Sequence, residues 1–205
     1  MLLHPERALL WPAQRTAFIA DLHLGKDEIF RRSGIPIPQG STERDLLRLQ
    51  TLVREHDVGR IVLLGDFLHG AARGIPTHAA LFTTWRAAHA DVEFVVVAGN
   101  HDRHSVHREL VEAVRWEREG LALGPFSCRH HPGPARVGHA LCGHIHPMIR
   151  LRGSHREKTR LPVCWMRADH TVLPSFGSFT GGADIEVDEG DEVFAFAANR
   201  VWRVG

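Results

Sequence analysis

Three short apolar runs punctuate the first half of the chain, and each ends abruptly on polar residues. Thr16 to Ala20 (TAFIA) stops at Asp21, Ile61 to Leu64 (IVLL) stops at Gly65-Asp66, and Val92 to Ala98 (VEFVVVA) stops at Gly99-Asn100. Apolar runs this short and without strict alternation predict strands buried on both faces, the pattern of a parallel sheet. The segments between them have helical spacing. Ser41 and Thr42 offer N-cap oxygens ahead of Leu46, Leu49, Leu52 and Val53, and Thr77 opens a stretch carrying Ala80, Leu81 and Trp85. Strand and helix alternate, which predicts an α/β sheet. A third helix is expected near His104 to Trp116. Beyond it come short strands around Pro125 to Arg129, Ala140 to Cys142, Pro162 to Arg167 and Glu192 to Ala198, with a last strand at Val201 to Val204. The second half is therefore read as mostly β. No internal repeat, low-complexity stretch or linker interrupts the chain, so residues 1–205 are expected to form one domain with two sheets. Arg31 to Gly40 (RRSGIPIPQG), with two prolines and two glycines, is expected to be an ordered loop.

Composition narrows the class. A chain of 205 residues with 43% hydrophobic content can bury a core without disulfides. Cys128, Cys142 and Cys164 stand far apart with no CxxC, which argues against a disulfide framework or a cysteine zinc site and fits a reducing compartment. His4, Pro5, Glu6 and Arg7 break the apolar start, so no secretory h-region is read there, and no run approaches the roughly 18 residues of a membrane span. The expected location is cytoplasmic, with no membrane partner. Lys+Arg 25 against Asp+Glu 24 leaves a formal net charge of +1, which excludes a histone-like cation or a polyacidic tail as the organising principle. Histidine stands out, with 16 residues beside no tyrosine. Imidazole is the commonest side-chain metal ligand and titrates near neutral pH, so the excess points toward a metalloenzyme.

The polar residues that follow the apolar runs form an ordered series: Asp21-Leu22-His23, Gly65-Asp66, Gly99-Asn100-His101-Asp102, His130-His131, and Gly143-His144-Ile145-His146. Loops at the carboxyl ends of strands in open α/β sheets converge on one crevice, so these residues are expected to meet in space. Carboxylate, imidazole and amide oxygens suit Mn, Fe or Zn, and there are enough of them for two ions. In DxH and HxH the two ligands flank one residue, so on an extended strand end both are expected to point the same way. Taken singly, DxH and GD also describe turns or capped strand ends, and GNHD also describes a turn in which Asp102 caps the next helix. Together they describe a site.

The ordered set DxH, GD, GNHD, a lone His and GHxH resembles the calcineurin-like metallophosphoesterase superfamily. The stretches WPAQRTAFIADLHLGK, SGIPIPQGST, LGDFLH, RHHP, GHIHP and LPSFGSFTGG extend the likeness nearly end to end, to the bacterial metallophosphoesterases associated with a DNA ligase and a helicase in the DNA-damage response. The resemblance implies an α/β fold of the four-layer αββα sandwich type. It implies two divalent ions, manganese foremost with iron, zinc and magnesium as alternatives, one held by Asp21, His23, Asp66 and His146 and the other by Asp66, Asn100, His130 and His144, with Asp66 bridging. His131 stays open as an alternative to His130. A hydroxide shared by the ions is expected to attack phosphorus while His101, oriented by Asp102, assists the leaving group. The implied activity is a DNA endonuclease in repair, with DNA, a DNA ligase and a helicase as partners. A phosphodiesterase or phosphatase acting on a small nucleotide or phosphodiester is the second reading. A noncatalytic protein-binding scaffold on this fold is the third, opposed by the intact ligand set.

Substrate contacts are less determined. Lys26, Arg103 and His69 each either reach a bound phosphate or serve only locally, as solvated cations or a packed ring. Arg150, Arg152, Arg156, Lys158 and Arg160 against Glu157 give +4 over eleven residues, read either as a track for a nucleic-acid backbone or as a solvated hairpin. Asp184 to Glu192 (DIEVDEGDE) holds six acids in nine residues and is read as a solvated turn that keeps DNA away. The five tryptophans are scattered and are expected to be mostly core.

Overall fold

The computed structural model describes the chain from Met1 to Val204 apart from residues 70–75, 103–107 and 153–157. Its first part contains β1 (Leu2–His4), β2 (Ala8–Trp11), β3 (Thr16–Ile19), α1 (Lys26–Arg32), α2 (Ser41–Glu55), β4 (Arg60–Leu64), α3 (Pro76–Ala88), β5 (Glu93–Val97), α4 (Arg108–Glu112) and β6 (Arg115–Glu117). The six strands lie side by side in chain order. They are antiparallel from β1 to β3 and parallel from β3 to β6.

The regular structure of the second part is all strand among the described residues: β7 (Leu121–Leu123), β8 (Phe126–Cys128), β9 (His139–Cys142), β10 (Pro147–Arg152), β11 (Lys158–Met166), β12 (His170–Val172), β13 (Ala183–Asp184), β14 (Glu192–Ala197) and β15 (Arg200–Arg203). They form a second sheet in the order β13-β10-β11-β12-β9-β8-β7, with β14 pairing β11 and β15. β8 and β9 run parallel, so their carboxyl ends open at one edge. An isolated parallel bridge between Ala20 and Ser175 ties the end of β3 to the segment following β12.

Side-chain alternation along β3, β4 and β5 separates two cores. Ala17, Ile19, Ile61, Leu63, Phe94 and Val96 face the helices, packing with Leu46, Leu49 and Leu52 of α2 and Phe82 and Trp85 of α3. Phe18, Val62, Leu64, Val95 and Val97 face the second sheet, packing with Cys128, Leu141, Cys164 and Leu173. Both faces of the parallel strands are covered, which is why their sequence reads as continuous apolar runs. Cys128 and Cys142 are buried free thiols, and burial pushes both up to about 12. Trp11, Trp85, Trp116 and Trp165 pack on the cores, and Trp202 is exposed.

The α/β sandwich of two facing sheets is as expected, with one refinement. The helices lie before β7, and the outer face of the second sheet carries a small apolar cluster of Val163, Val193 and Ala195 under Trp165, Ile149 and Leu161, with no helix among the described residues.

Several local expectations are corrected. The third helix is only Arg108–Glu112 among the described residues, because the chain then turns and adds β6 alongside β5, where Arg115 pairs with Glu93 and Glu117. The expected loop at residues 31–40 begins later, since Arg31 and Arg32 end α1. That helix has no apolar stripe to reveal it: its one buried residue is Asp27, and Arg31 and Arg32 pair with acids one turn back. Ser41 and Thr42 lie inside α2, whose N-cap is Gly40 in the left-handed region at φ 84°. The Thr42 hydroxyl serves elsewhere, meeting His78 Nδ1 at 2.7 Å.

Candidate metal centre

The five polar sets meet where β3, β4, β5, β8 and β9 release the chain. They do not do so as extended strand ends. Asp21, His23, Asp66, His144 and His146 all have positive φ, between 47° and 76°. Each left-handed residue that is not glycine costs on the order of 1 kcal/mol or more, and such strain persists only where surrounding packing over-determines it. Here the intervening residues supply that packing. Leu22, Leu24, Phe67 and Leu68 are each at most 4% exposed in the core beneath the helices, and burying such a side chain contributes about 1.5–3 kcal/mol. DxH therefore works through a buried leucine between two left-handed candidate ligands, correcting the extended-strand expectation.

Backbone hydrogen bonds lock the loops together. His23 N donates to Asp66 O at 2.9 Å, Leu24 N to Phe67 O at 2.8 Å and Gly143 N to His130 O at 3.1 Å. The carboxylates cross-link other pairs: Asp21 Oδ2 accepts from His144 N at 2.8 Å, and Asp66 Oδ1 from His101 N at 3.0 Å. The glycines before Asp66 and Asn100 have a steric reason. A Cβ on Gly65 would stand 1.9 Å from His130 Nδ1, and one on Gly99 would stand 2.2 Å from Asp66 Oδ1.

Two clusters of ligand atoms result. In the first, His23 Nε2 lies 3.2 Å from His146 Nε2 and 3.9 Å from Asp66 Oδ2, while His146 Nε2 lies 3.6 Å from Asp21 Oδ2. In the second, His130 Nε2 lies 2.9 Å from Asn100 Oδ1, 3.0 Å from His144 Nδ1 and 3.5 Å from Asp66 Oδ1. The two oxygens of Asp66 thus face different clusters, as a bridging carboxylate does. Ligands about 2.1 Å from one cation stand roughly 3.0–3.4 Å from each other, close to these separations.

Proton positions sharpen the fit. His130 Nδ1 meets Leu64 O at 3.1 Å and His146 Nδ1 meets Gly181 O at 2.9 Å, so each Nδ1 carries the proton and donates it to a carbonyl. Each Nε2 then turns a lone pair toward its cluster, where it faces a second imidazole nitrogen and a carboxylate or amide oxygen. Asp21 Oδ1 is fully buried and accepts no hydrogen bond among the described residues, with His130 Nδ1 standing 3.7 Å away. Buried lone pairs crowded on one another repel, and a carboxylate oxygen without a partner costs several kcal/mol, unless a cation takes them up. The donor set of carboxylate, amide oxygen and imidazole fits divalent manganese, iron or zinc. Burial, then Lys26 and the neighbouring rings, holds His23 far below the usual histidine range, and burial with His130 and His131 lowers His144, keeping both neutral as ligands must be.

The other expected site residues divide. His101 lies at the mouth with its side chain 36% exposed, Nε2 3.9 Å from Asp66 Oδ2 and its ring stacked on His69 at 4.9 Å. Asp102 does not orient that ring: its oxygens accept from Leu68 N at 2.9 Å and Gly99 N at 2.8 Å, stapling two loops. Burial raises its carboxyl against those two donors. His69 Nδ1 sits 3.3 Å from His23 Nδ1, and burial followed by Lys26 pushes it down to about 4. Burial lowers the Lys26 ammonium below the usual lysine range, the field of Asp21 and Asp66 opposing only part of that, and the ammonium lies 5.7 Å over the Phe30 ring. His131 is exposed with its ring 4.3 Å from that of His144, while His130 is buried among the ligands. Arg103 lies outside the described residues.

Two of the five cations in the basic stretch, Arg150 and Arg160, are already engaged. Its strands pair as a hairpin with Arg150 opposite Arg160, and both guanidinium groups contact Asp184. Arg167 contacts Asp188 and Asp191, so the acidic run is also paired, correcting the expectation of a merely solvated turn. Arg156 and Glu157 fall outside the described residues. No described helix is long and apolar enough to cross a membrane.

What the sequence reading missed is the set of backbone carbonyls, Leu64 O and Gly181 O, that fix the imidazole tautomers. Gly181 belongs to LPSFGSFTGG, a stretch whose motif gave no sign of a role.

Comparison with known proteins agrees with this geometry. Residues 14–146 match the family model described as calcineurin-like phosphoesterase. The crystal structure of Pseudomonas putida nuclease MPE is similar to this chain at 34% identity and a TM-score of 0.84, covering 98% of this chain and 93% of that one. An Aquifex aeolicus protein of unknown function, AQ665, is 14% identical with a TM-score of 0.43 over 64% of this chain and 78% of that one. No curated protein matches by sequence. Two ligand clusters sharing Asp66, a family match over most of the chain and an end-to-end structural likeness all agree: the chain belongs to the calcineurin-like phosphoesterase family and is a metal-dependent phosphoesterase.

Proposed function

We propose that the protein is a dinuclear-metal phosphodiesterase that cleaves DNA internally, with manganese as the working ion, and that it serves in DNA repair. The observation that carries the phosphodiesterase reading is the convergence of lone pairs from two clusters on either side of Asp66, with His101 open at the mouth. Asp21, His23, Asp66 and His146 would hold one ion, and Asp66, Asn100, His130 and His144 the other. Such a pair, when bound, polarises the phosphoryl group, lowers the pKa of water and offsets the negative charge of an in-line displacement.

The residues of this chain do the rest. Leu64 O and Gly181 O hold the protons of His130 and His146 on Nδ1 and so keep each Nε2 available. His101, anchored through its own N–H to Asp66, presents Nε2 where a leaving alkoxide departs and donates a proton to it. Lys26 adds a cation beside the carboxylates, placed to contact a phosphate oxygen. Nucleic acid as substrate is supported by the likeness to a nuclease along nearly the whole chain. Contacts with a DNA ligase and a helicase, and a cytoplasmic location, rest on the motif resemblance and on three free buried cysteines.

Incubating manganese-loaded protein with single-stranded, nicked, gapped and duplex DNA beside cyclic nucleotides tests the substrate. Internal cleavage of at least one DNA form is expected. Hydrolysis of cyclic nucleotides with every DNA left intact would replace this reading with the small-substrate one, which the near-neutral net charge and the self-paired arginines favour.

A further inference from the structure

Pro174 to Gly182 crosses both ends of the first ligand cluster without forming helix or strand beyond one bridge residue. At its start, Ser175 Oγ and Gly177 N both donate to the carbonyl of Asp21, at 2.7 and 3.2 Å, while Phe176 N donates to Ala20 O at 2.7 Å. At its end, Gly181 O takes the His146 Nδ1 proton, and Ala183 N donates to Ile145 O at 3.2 Å. One strap therefore fixes the left-handed backbone of one ligand and the ring of another, 125 positions apart in the chain.

Regular structure does not hold the strap. Side chains do: Arg7 donates to Ser175 O at 3.2 Å, and two residues of α2 hold the middle. Asp45, whose side chain is 8% exposed, accepts from Ser178 N at 3.0 Å and from Ser178 Oγ. Arg48 donates to Phe176 O at 2.6 Å, lies 4.0 Å over the Phe176 ring, and pairs with Asp45 at 3.0 Å and with Glu6. The spacing i, i+3 puts both on one edge of a helix whose Leu46, Leu49 and Leu52 are packed in the core, so the anchor is rigid. A buried ion pair this well bonded is weak evidence for stability, and a role in specifying geometry explains its placement better. We propose that Asp45 and Arg48 are positioning residues for the first metal site, acting through the strap on Asp21 and His146. Among the described residues, no hydrogen bond or ion pair joins either one to a proposed ligand side chain.

This inference rests on the assignment of Asp21 and His146 as metal ligands. Equilibrium dialysis against Mn²⁺, with bound metal counted by atomic emission, tests it on wild type, Asp45→Asn, Arg48→Met, Arg48→Lys and Ser178→Ala. Loss of a partner that orients a metal-binding histidine lowers metal affinity by about 10–100-fold. Asp45→Asn and Arg48→Met are therefore expected to weaken one of two ions at least about tenfold, leaving the other unchanged, and excess Mn²⁺ should restore the maximal rate. Arg48→Lys, still able to reach the Phe176 carbonyl, should recover part of the affinity. Ser178→Ala removes a single hydroxyl, keeps the fold, and should shift the same ion in the same direction by less. It decides the matter should Asp45→Asn fail to fold. Two ions bound at wild-type affinity in Ser178→Ala and in the folded α2 variants would overturn the positioning role alone. Fewer than two ions in wild type would overturn the metal assignment and this inference with it.

Discussion

Around Asp66 the side chains point lone pairs at one another inside the fold, whereas around Asp184 acids and arginines point at opposite charge on the surface. Both regions are dense in ionisable residues in the sequence. In the first, Asp21, His23, Asp66 and His130 are each at most 4% exposed, and Asp21 Oδ1 accepts no hydrogen bond among the described residues. In the second, Arg150, Arg160 and Arg167 satisfy Asp184, Asp188 and Asp191 with side chains that are about one third or more exposed, Asp191 apart. Exposed pairs of this kind contribute about 0–1 kcal/mol each and need no ligand to explain them. Buried acceptors facing acceptors are unstable without a cation. Dense charge becomes a site where the protein leaves it unsatisfied.

The contrast can be broken most forcefully at Asp66. Asp66→Asn removes the negative charge of the bridging carboxylate, and activity on bis-p-nitrophenyl phosphate should fall by more than about 10³-fold with metal lost from both clusters. Retention of both ions, seen by native mass spectrometry, would show that Asp66 does not bridge. His101→Ala should lower turnover by about 10²-fold or more while two ions stay bound. Metal loss in that variant would move His101 into the ligand set. A smaller difference is expected between neighbours. His130→Ala should weaken one ion by at least about tenfold, whereas His131→Ala should leave metal content at two and change the rate by only a few fold. The reverse order, read by the same metal count, would exchange their roles. The least effect is expected in the surface network: Asp184→Asn should shift Tm by no more than about 2 °C and leave hydrolysis of the small diester unchanged. A large loss of rate there would mean the surface pairs support the site after all.

The chain of apolar runs disclosed the parallel strands, and the polar residues after them disclosed which side chains gather at their ends. The manner of gathering was hidden. DxH reads as an alternating strand end, yet Asp21 and His23 are left-handed around a core leucine, a feature that depends on packing against helices far along the chain. Asp102 looked like a partner for its neighbour His101, but its oxygens go to backbone N–H groups of Leu68 and Gly99. Backbone donors and acceptors carry no residue signature, so Leu64 O and Gly181 O were equally invisible. α1 escaped notice because ion pairs, not an apolar stripe, line it. Net charge along Arg150 to Arg160 could not show that Asp184, two strands away, occupies two of those arginines.

The most direct measurement is a titration of chelator-stripped protein with Mn²⁺, following bis-p-nitrophenyl phosphate hydrolysis and bound metal together. Hydrolysis should be absent in the stripped protein and rise to its maximum as the second equivalent binds. Protein that holds two ions and hydrolyses nothing, or that hydrolyses fully with none, would contradict the account.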